Sequence, residues 1–191
     1  MSGSRARENN TLWTSGGGQV VGWLDKKMFD ETQDEEKSKG WTALIMDTNG
    51  NGQRDEYVEP DEPLDPSKDK RYGAAFYAVS PAPDGSVWGS VLGLPGAVVR
   101  LDPGSNPPET ALVEVYEPPF NNPNAAVEGY SPCGMDVDRD GVAWVALAER
   151  TSGRLRPPQV QGPAQRADGH RTALSRGLDT VCRTVAADPG C

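Results

Sequence analysis

Short runs of alternating apolar and polar residues recur along most of this 191-residue chain. Four of them follow one another at 73–80, 86–92, 96–102 and 111–117, and residues such as Pro, Gly, Asp and Asn fill the intervals. Alternation over such lengths is typical of half-buried strands, and the interval residues are typical of turns. The pattern therefore predicts four consecutive antiparallel strands.

One short sequence motif within this pattern occurs three times. A turn pair, two residues, a tryptophan and small residues read NNTLWTS at 9–15, DGSVWGS at 84–90 and DGVAWVA at 140–146. The first two copies continue in a similar way, as QVVGWLD at 19–25 and AVVRLD at 97–102, whereas the third copy has no such continuation. An internal repeat of this kind predicts a fold made of repeated supersecondary units.

The rest of the chain fits the same unit. Strands predicted at 11–15, 19–25 and 41–47 would be the later strands of a preceding unit, and strands at 134–138 and 142–148 would open a following one. Four antiparallel strands in about 45 residues is the size of one β-propeller blade.

We therefore predict an all-β protein made of antiparallel four-stranded blades of an incomplete β-propeller. Residues 11–149 would hold one complete blade, at about 73–117, with a partial blade on either side, and residues 1–10 would be irregular. The alternative is an antiparallel sandwich in which tryptophan recurs by chance. Because a propeller needs about four to eight blades to close, we expect this chain to be a segment of a larger protein.

The composition changes near Arg150. Residues 1–150 contain 13 basic and 25 acidic residues, a net charge of −12, whereas residues 151–191 carry a net charge of +3 with six arginines and no lysine. We predict that 150–191 is a non-propeller tail. It is either a natural disordered extension or the product of a frameshift. The frameshift is suggested because one choice of synonymous codons from Leu155 onward, read one base later, allows the missing strand ending. Sequencing the DNA distinguishes the two.

The overall composition limits the cellular locations and binding partners that can be expected. No apolar run of 18 residues is present, so no transmembrane helix is predicted, and residues 1–10 lack the apolar middle of a signal peptide. The location of this chain stays open, and a periplasmic or secreted parent would carry its signal upstream of Met1. The net charge of −9 predicts repulsion of nucleic acid and of anionic membranes.

The sequence YSPCGMDVDRDGVAWVA at 130–146 carries the clearest resemblance. It resembles the blade signature shared by virginiamycin B lyase-like propellers, gluconolactonases with their calcium-dependent phosphotriesterase relatives, and NHL-repeat propellers. The resemblance covers about 9–148 and implies a propeller architecture. It leaves activity open, because these families include lyases, lactonases and pure binding modules. Trp13, Trp88 and Trp144 are predicted to fill the gaps between blades.

The strongest chemical motif is MDTNGNGQRDE at 46–56. Oxygen-bearing side chains at loop positions 1, 3, 5 and 9, with glycine at position 6, match the first part of a calcium-binding loop. Five residues of the loop are predicted to bind Ca²⁺, Gln53 through its carbonyl and the others through side-chain oxygens: Asp47, Asn49, Asn51, Gln53 and Asp55.

The motif departs from a helical EF-hand. Position 12 is Val58 instead of the usual glutamate, and the flanks at 41–46 and 56–58 predict strands rather than helices. In this the loop resembles the hairpin calcium loops of integrin-type propeller domains, with Glu56 or Glu59 as an additional carboxylate. Two formal charges among the five ligands predict weak affinity. The alternative is a solvated acidic turn that binds no metal.

Other chemical constellations are less persuasive, and no catalytic residue is predicted. Residues 136–141 repeat the calcium spacing but run straight into an apolar strand, which favours a plain hairpin turn. The single histidine, His170, lies in the tail, so no triad or zinc site is predicted. Ser131 and Cys133 lack a recognisable base, and the triple glycine at 16–18 lacks the helix of a phosphate loop.

Two functions remain as expectations. The first is a binding or scaffold segment of a propeller with a structural calcium loop, whose parent engages a protein, peptide, glycan or small ligand. The second is an inactive fragment of a metal-dependent propeller enzyme of the lyase, lactonase or esterase kind, whose axial metal site would need several blades.

Overall fold

A computed structural model describes residues 10–15, 18–121, 123 and 129–148, together with the backbone of 159–160. This part of the chain forms four small sheets and three short helices. The fold is thus mostly β, and antiparallel pairing prevails, as predicted. Residues 1–9 and most of the tail predicted at 150–191, including His170, lie outside the described residues.

The first sheet contains β1 (Thr11–Ser15), β2 (Val20–Asp25) and β3 (Lys39–Ala43), paired antiparallel in that order. Trp13 lies opposite Trp23 in the pairing of β1 with β2. Two of the three strands match their predicted positions closely.

The third strand of this sheet differs from the prediction of 41–47. It begins at Lys39 and ends at Ala43, because Leu44 is fully buried and its carbonyl accepts a hydrogen bond from the Tyr72 N–H at 2.7 Å. The chain then enters a different sheet. The predicted single strand is therefore two strands in two sheets.

The insert between β2 and β3 is helical, which the all-β prediction missed. It forms α1 (Lys26–Thr32) and α2 (Glu35–Ser38). The Asp25 carboxylate accepts the Met28 N–H at 2.9 Å, and Asp34 caps α2 in the same way. Aspartate caps satisfy N–H groups that a helix start leaves unpaired, so a short polar segment can still become helical.

The loop sheet contains β4 (Ile45–Met46), β5 (Tyr57–Val58) and β6 (Asp69–Arg71). The central strand β6 pairs antiparallel with β4 and parallel with β5. The predicted calcium loop connects β4 to β5, so strands flank it on both sides as expected.

The central sheet contains β7 (Ala78–Pro81), β8 (Val87–Val91), β9 (Ala97–Asp102) and β10 (Leu112–Tyr116). They pair in chain order, each antiparallel to the next, so the four predicted strands are confirmed. The first is shorter than predicted, because residues 73–77 are irregular. The single turn of α3 (Pro107–Thr110) lies between β9 and β10.

The C-terminal sheet contains β11 (Tyr130–Val137), β12 (Ala143–Ala148) and β13 (Gln159–Val160). The last strand falls in the non-propeller tail predicted at 150–191, and it pairs with β12. Pairing uses backbone groups alone, so an exposed strand edge can recruit a segment without an alternating pattern.

The central sheet is buried on both faces. On one face Val87 and Val99 belong to a core cluster with Val21 of the first sheet and Leu44. On the other face Trp88, which is 1% exposed, packs with β12 in a second cluster and stacks on Tyr116 at 5.8 Å. Successive sheets thus pack face to face along the chain.

Gly89, next to Trp88, has no room for a side chain. A Cβ there would lie 2.3 Å from the Phe76 ring, so Gly89→Ala should lower the free energy of unfolding by about 1–3 kcal/mol, the usual cost of overpacking. Urea denaturation followed by tryptophan fluorescence measures this. Gly134→Ala is the matched control, because its Cβ would meet no atom within 4 Å and should cost less than about 0.5 kcal/mol. Equal losses would contradict the packing.

Candidate metal centre

The predicted calcium loop is wound around the carboxylate of Asp47. Its Oδ1 accepts the N–H groups of Gly50 at 2.7 Å and Asn51 at 3.2 Å, and its Oδ2 accepts the Gly52 N–H at 2.8 Å. Both glycines have positive φ, 80° and 77°, which L side chains rarely adopt. The glycines therefore let three backbone N–H groups turn inward to one carboxylate.

The two asparagines connect Asp47 to the end of the loop. The Asn49 and Asn51 side-chain amides donate to Asp55 Oδ2 at 2.9 and 2.6 Å, and their own oxygens accept the N–H groups of Asn51 and Gln53. The amides hold the pKa of the Asp55 carboxyl below its usual range. The structure thus brings Asp47, Asn49, Asn51 and Asp55 into one hydrogen-bonded network, with Gln53 in the same loop.

A third carboxylate, which the sequence reasoning missed, lies beside this loop. Asp69 on β6 is fully buried; its Oδ2 accepts the Asp55 N–H at 2.8 Å, and its Oδ1 makes no hydrogen bond of ordinary geometry. Burial raises the pKa of Asp69, and the charges of Asp47 and Asp55 raise it further, partly offset by backbone N–H groups. No local motif marks this position, since it lies 14 residues beyond Asp55.

The two glutamates suggested as additional ligands have other partners. Glu56 forms an ion pair with Lys68 at 3.0 Å, and Glu59 pairs with Arg71 at 3.0 Å. The carboxylate that adjoins the loop is that of Asp69 instead.

Arg54 ties the loop to the central sheet. Its Nη1 donates to the Thr42 hydroxyl at 3.0 Å and to the carbonyls of Pro107 at 3.2 Å and Ala111 at 3.4 Å. The Thr42 hydroxyl also donates to the Pro107 carbonyl at 2.8 Å. Three sheets meet at this partly buried guanidinium, whose pKa burial lowers. The loop is therefore held at one end by β4 and near the other by Arg54.

Among the described residues, no three His, Cys, Asp or Glu side chains stand ready to hold a metal ion. In the loop itself, backbone N–H groups approach both Asp47 oxygens, and asparagine amides approach Asp55. Any cation would have to displace or reorient the amides.

The segment at 136–141 is the hairpin turn that was predicted. Asp138 Oδ1 accepts the N–H groups of Asp140 and Val142, both at 2.9 Å, and its Oδ2 accepts the Trp144 indole N–H at 2.8 Å. The indole and the backbone N–H groups hold the pKa of Asp138 below its usual value. Both oxygens are thus used within the hairpin.

Cys133 is buried, in keeping with a packing role.

The chain matches no protein-family model, no curated protein and no solved structure. None of the described helices is long and apolar enough to cross a membrane.

Replacing Arg54 by methionine should weaken the junction of the three sheets. Methionine keeps most of the apolar stem but removes three donated hydrogen bonds, and we expect a loss of about 1–3 kcal/mol in the free energy of unfolding. Lys26→Met, which breaks an exposed pair with Asp30, should cost less than about 1 kcal/mol. Chemical denaturation of both variants tests this, and an Arg54 effect no larger than that of Lys26 would contradict it.

The hairpin carboxylate predicts a pH dependence. Because the pKa of folded Asp138 is lowered, its ionised form stabilises the fold above the unfolded pKa of about 3.9, and that contribution disappears as the pH falls through the folded pKa. Asp138→Asn should therefore lower the melting temperature by about 1–3 °C at pH 7, and this deficit should shrink steadily as the pH falls below about 3.9. Thermal melts over a pH series measure this; a deficit that does not change with pH would contradict it.

Proposed function

We propose that the loop from Asp47 to Asp55 is a structural Ca²⁺ site in a binding or scaffold segment of a β-propeller. The observation that carries the proposal is the wrapping of the loop around Asp47, where three inward-facing N–H groups fix a carboxylate at the loop centre. A fixed carboxylate surrounded by further oxygen-bearing side chains is what a hard cation requires.

Binding would exchange hydrogen bonds for metal ligands. The Asn49 and Asn51 amides now donate to Asp55, and turning them would present their oxygens to the ion. With Asp47 and the Gln53 carbonyl, these residues supply five oxygen ligands, one fewer than the minimum of the about six to eight that Ca²⁺ takes. Water would complete the shell.

A bound ion would stabilise the contacts between the sheets. Because Arg54 lies between Gln53 and Asp55, an ion that fixes both neighbours also fixes the residue that binds Thr42 and the Pro107 carbonyl. Calcium would then stabilise the junction between sheets, which is a structural role.

The packing of the sheets supports a propeller segment. The central four-stranded sheet is covered on both faces, as a blade between two others would be. The first sheet carries an apolar groove of about 530 Å³, where Leu12 is 59% and Trp41 57% exposed. A preceding blade of the parent protein would cover this face. The parent's own ligand, a protein, peptide, glycan or small molecule, would be bound by the assembled blades.

Calcium binding is tested by calorimetric titration of the chelator-treated protein. We expect a binding heat in the wild type and none in Asp47→Ala, because the central carboxylate is lost. Calcium at 100 times its dissociation constant should raise the free energy of unfolding by about 2.7 kcal/mol.

The matched control is Asp138→Asn, which changes an aspartate in the segment 136–141, where the calcium spacing recurs but the Asp138 oxygens are used inside a hairpin. It should bind calcium as the wild type does. A folded wild-type protein that shows no calcium heat and no thermal shift would overturn the proposed function.

A further inference from the structure

We propose that Asp69, on the strand beside the loop, is a direct ligand of the proposed calcium ion. This inference rests on the proposed function and extends it, because it makes the site a contact between the loop and β6. Three carboxylates, instead of two, would then face the ion.

The strand register places Asp69 at the site. Ile45 lies opposite Arg71 and Met46 opposite Lys70, so the next position along the same antiparallel pair sets Asp47 against Asp69. The Thr48 hydroxyl donates to the Lys68 carbonyl at 2.9 Å, which continues this register into the loop.

The second argument is the state of the Asp69 carboxylate. The residue is 0% exposed, and Oδ2 is held by the Asp55 N–H at 2.8 Å, which fixes the carboxylate against the end of the loop. Oδ1 is buried and makes no hydrogen bond of ordinary length and angle, although the Thr48 N–H as well as that of Asp55 acts on this carboxylate. Buried polar groups nearly always have partners, so a buried oxygen without a well-formed bond, beside two further carboxylates, is a position where a cation would be bound.

Arg54 does not supply that partner. Its charge acts on Asp69, but its Nη1 is directed to Thr42 and to the carbonyls of Pro107 and Ala111.

Adding Asp69 to the loop residues gives six protein ligands. Calcium accepts about six to eight oxygens in flexible geometry, whereas Mg²⁺ demands a near-ideal octahedron and keeps several waters. A crowded set of oxygens from two separate chain segments therefore favours Ca²⁺ over Mg²⁺. It also means that the ion would join β6 to the loop.

The test is Asp69→Asn in the full chain. Asparagine keeps an oxygen for the Asp55 N–H but removes the charge, so calcium affinity should fall at least about tenfold. In chelator the variant should melt at the wild-type temperature or above it, because a buried charge that the Asp47 and Asp55 charges repel has been removed. Asp61→Asn, which changes an exposed acid between β5 and β6, is the control and should change neither quantity.

The outcomes separate the two proposals. Wild-type affinity in Asp69→Asn, together with lost binding in Asp47→Ala, would overturn the role of Asp69 and leave the calcium site standing. No binding by the wild type would overturn both. Should Asp69→Asn fail to fold, carboxyl-detected NMR of the wild type decides: the Asp69 carboxyl signal should move on calcium addition while that of Asp138 stays, and an unmoved Asp69 signal would overturn the inference.

Discussion

The structure depends on burying both faces of the central sheet. Every residue of β8 is buried, so alternate side chains on this strand face opposite core clusters. A sheet with two apolar faces is stable only when another layer covers each of them. The first and C-terminal sheets supply those layers, and their own positions follow from this requirement.

The same packing also positions the candidate metal centre. Leu44 and Met46 belong to the first core cluster, and Asp47 follows directly, so the core fixes the start of the loop. Near the end of the loop, Arg54 binds carbonyls beside β10. A loop anchored on both sides loses less conformational entropy when its ligands converge on an ion. Core packing thus fixes both sides of the loop, and the core residue Ala111 contacts it directly through its carbonyl.

The sequence alone predicts the features that depend on residues close together in the chain. The four central strands follow from a period of two and clear turn residues, and the loop follows from the spacing of short polar side chains. The helices in the insert were missed, because an aspartate that ends a strand looks the same as one that caps a helix. The break at Leu44 and the approach of Asp69 depend on pairing with distant residues such as Tyr72 and Met46, which no local pattern encodes.

The turn and the proposed calcium site depend on the same hydrogen bonds. The hydrogen bonds that make the loop a self-sufficient turn, from Gly50, Asn51 and Gly52 to Asp47, also hold that carboxylate in place. They do not act on the buried Asp69 beside the loop, whose pKa is raised by burial and further by the charges of Asp47 and Asp55. A turn needs only the first carboxylate. The third, buried and incompletely bonded, has a cost that the turn alone does not explain, and a divalent cation would remove that cost.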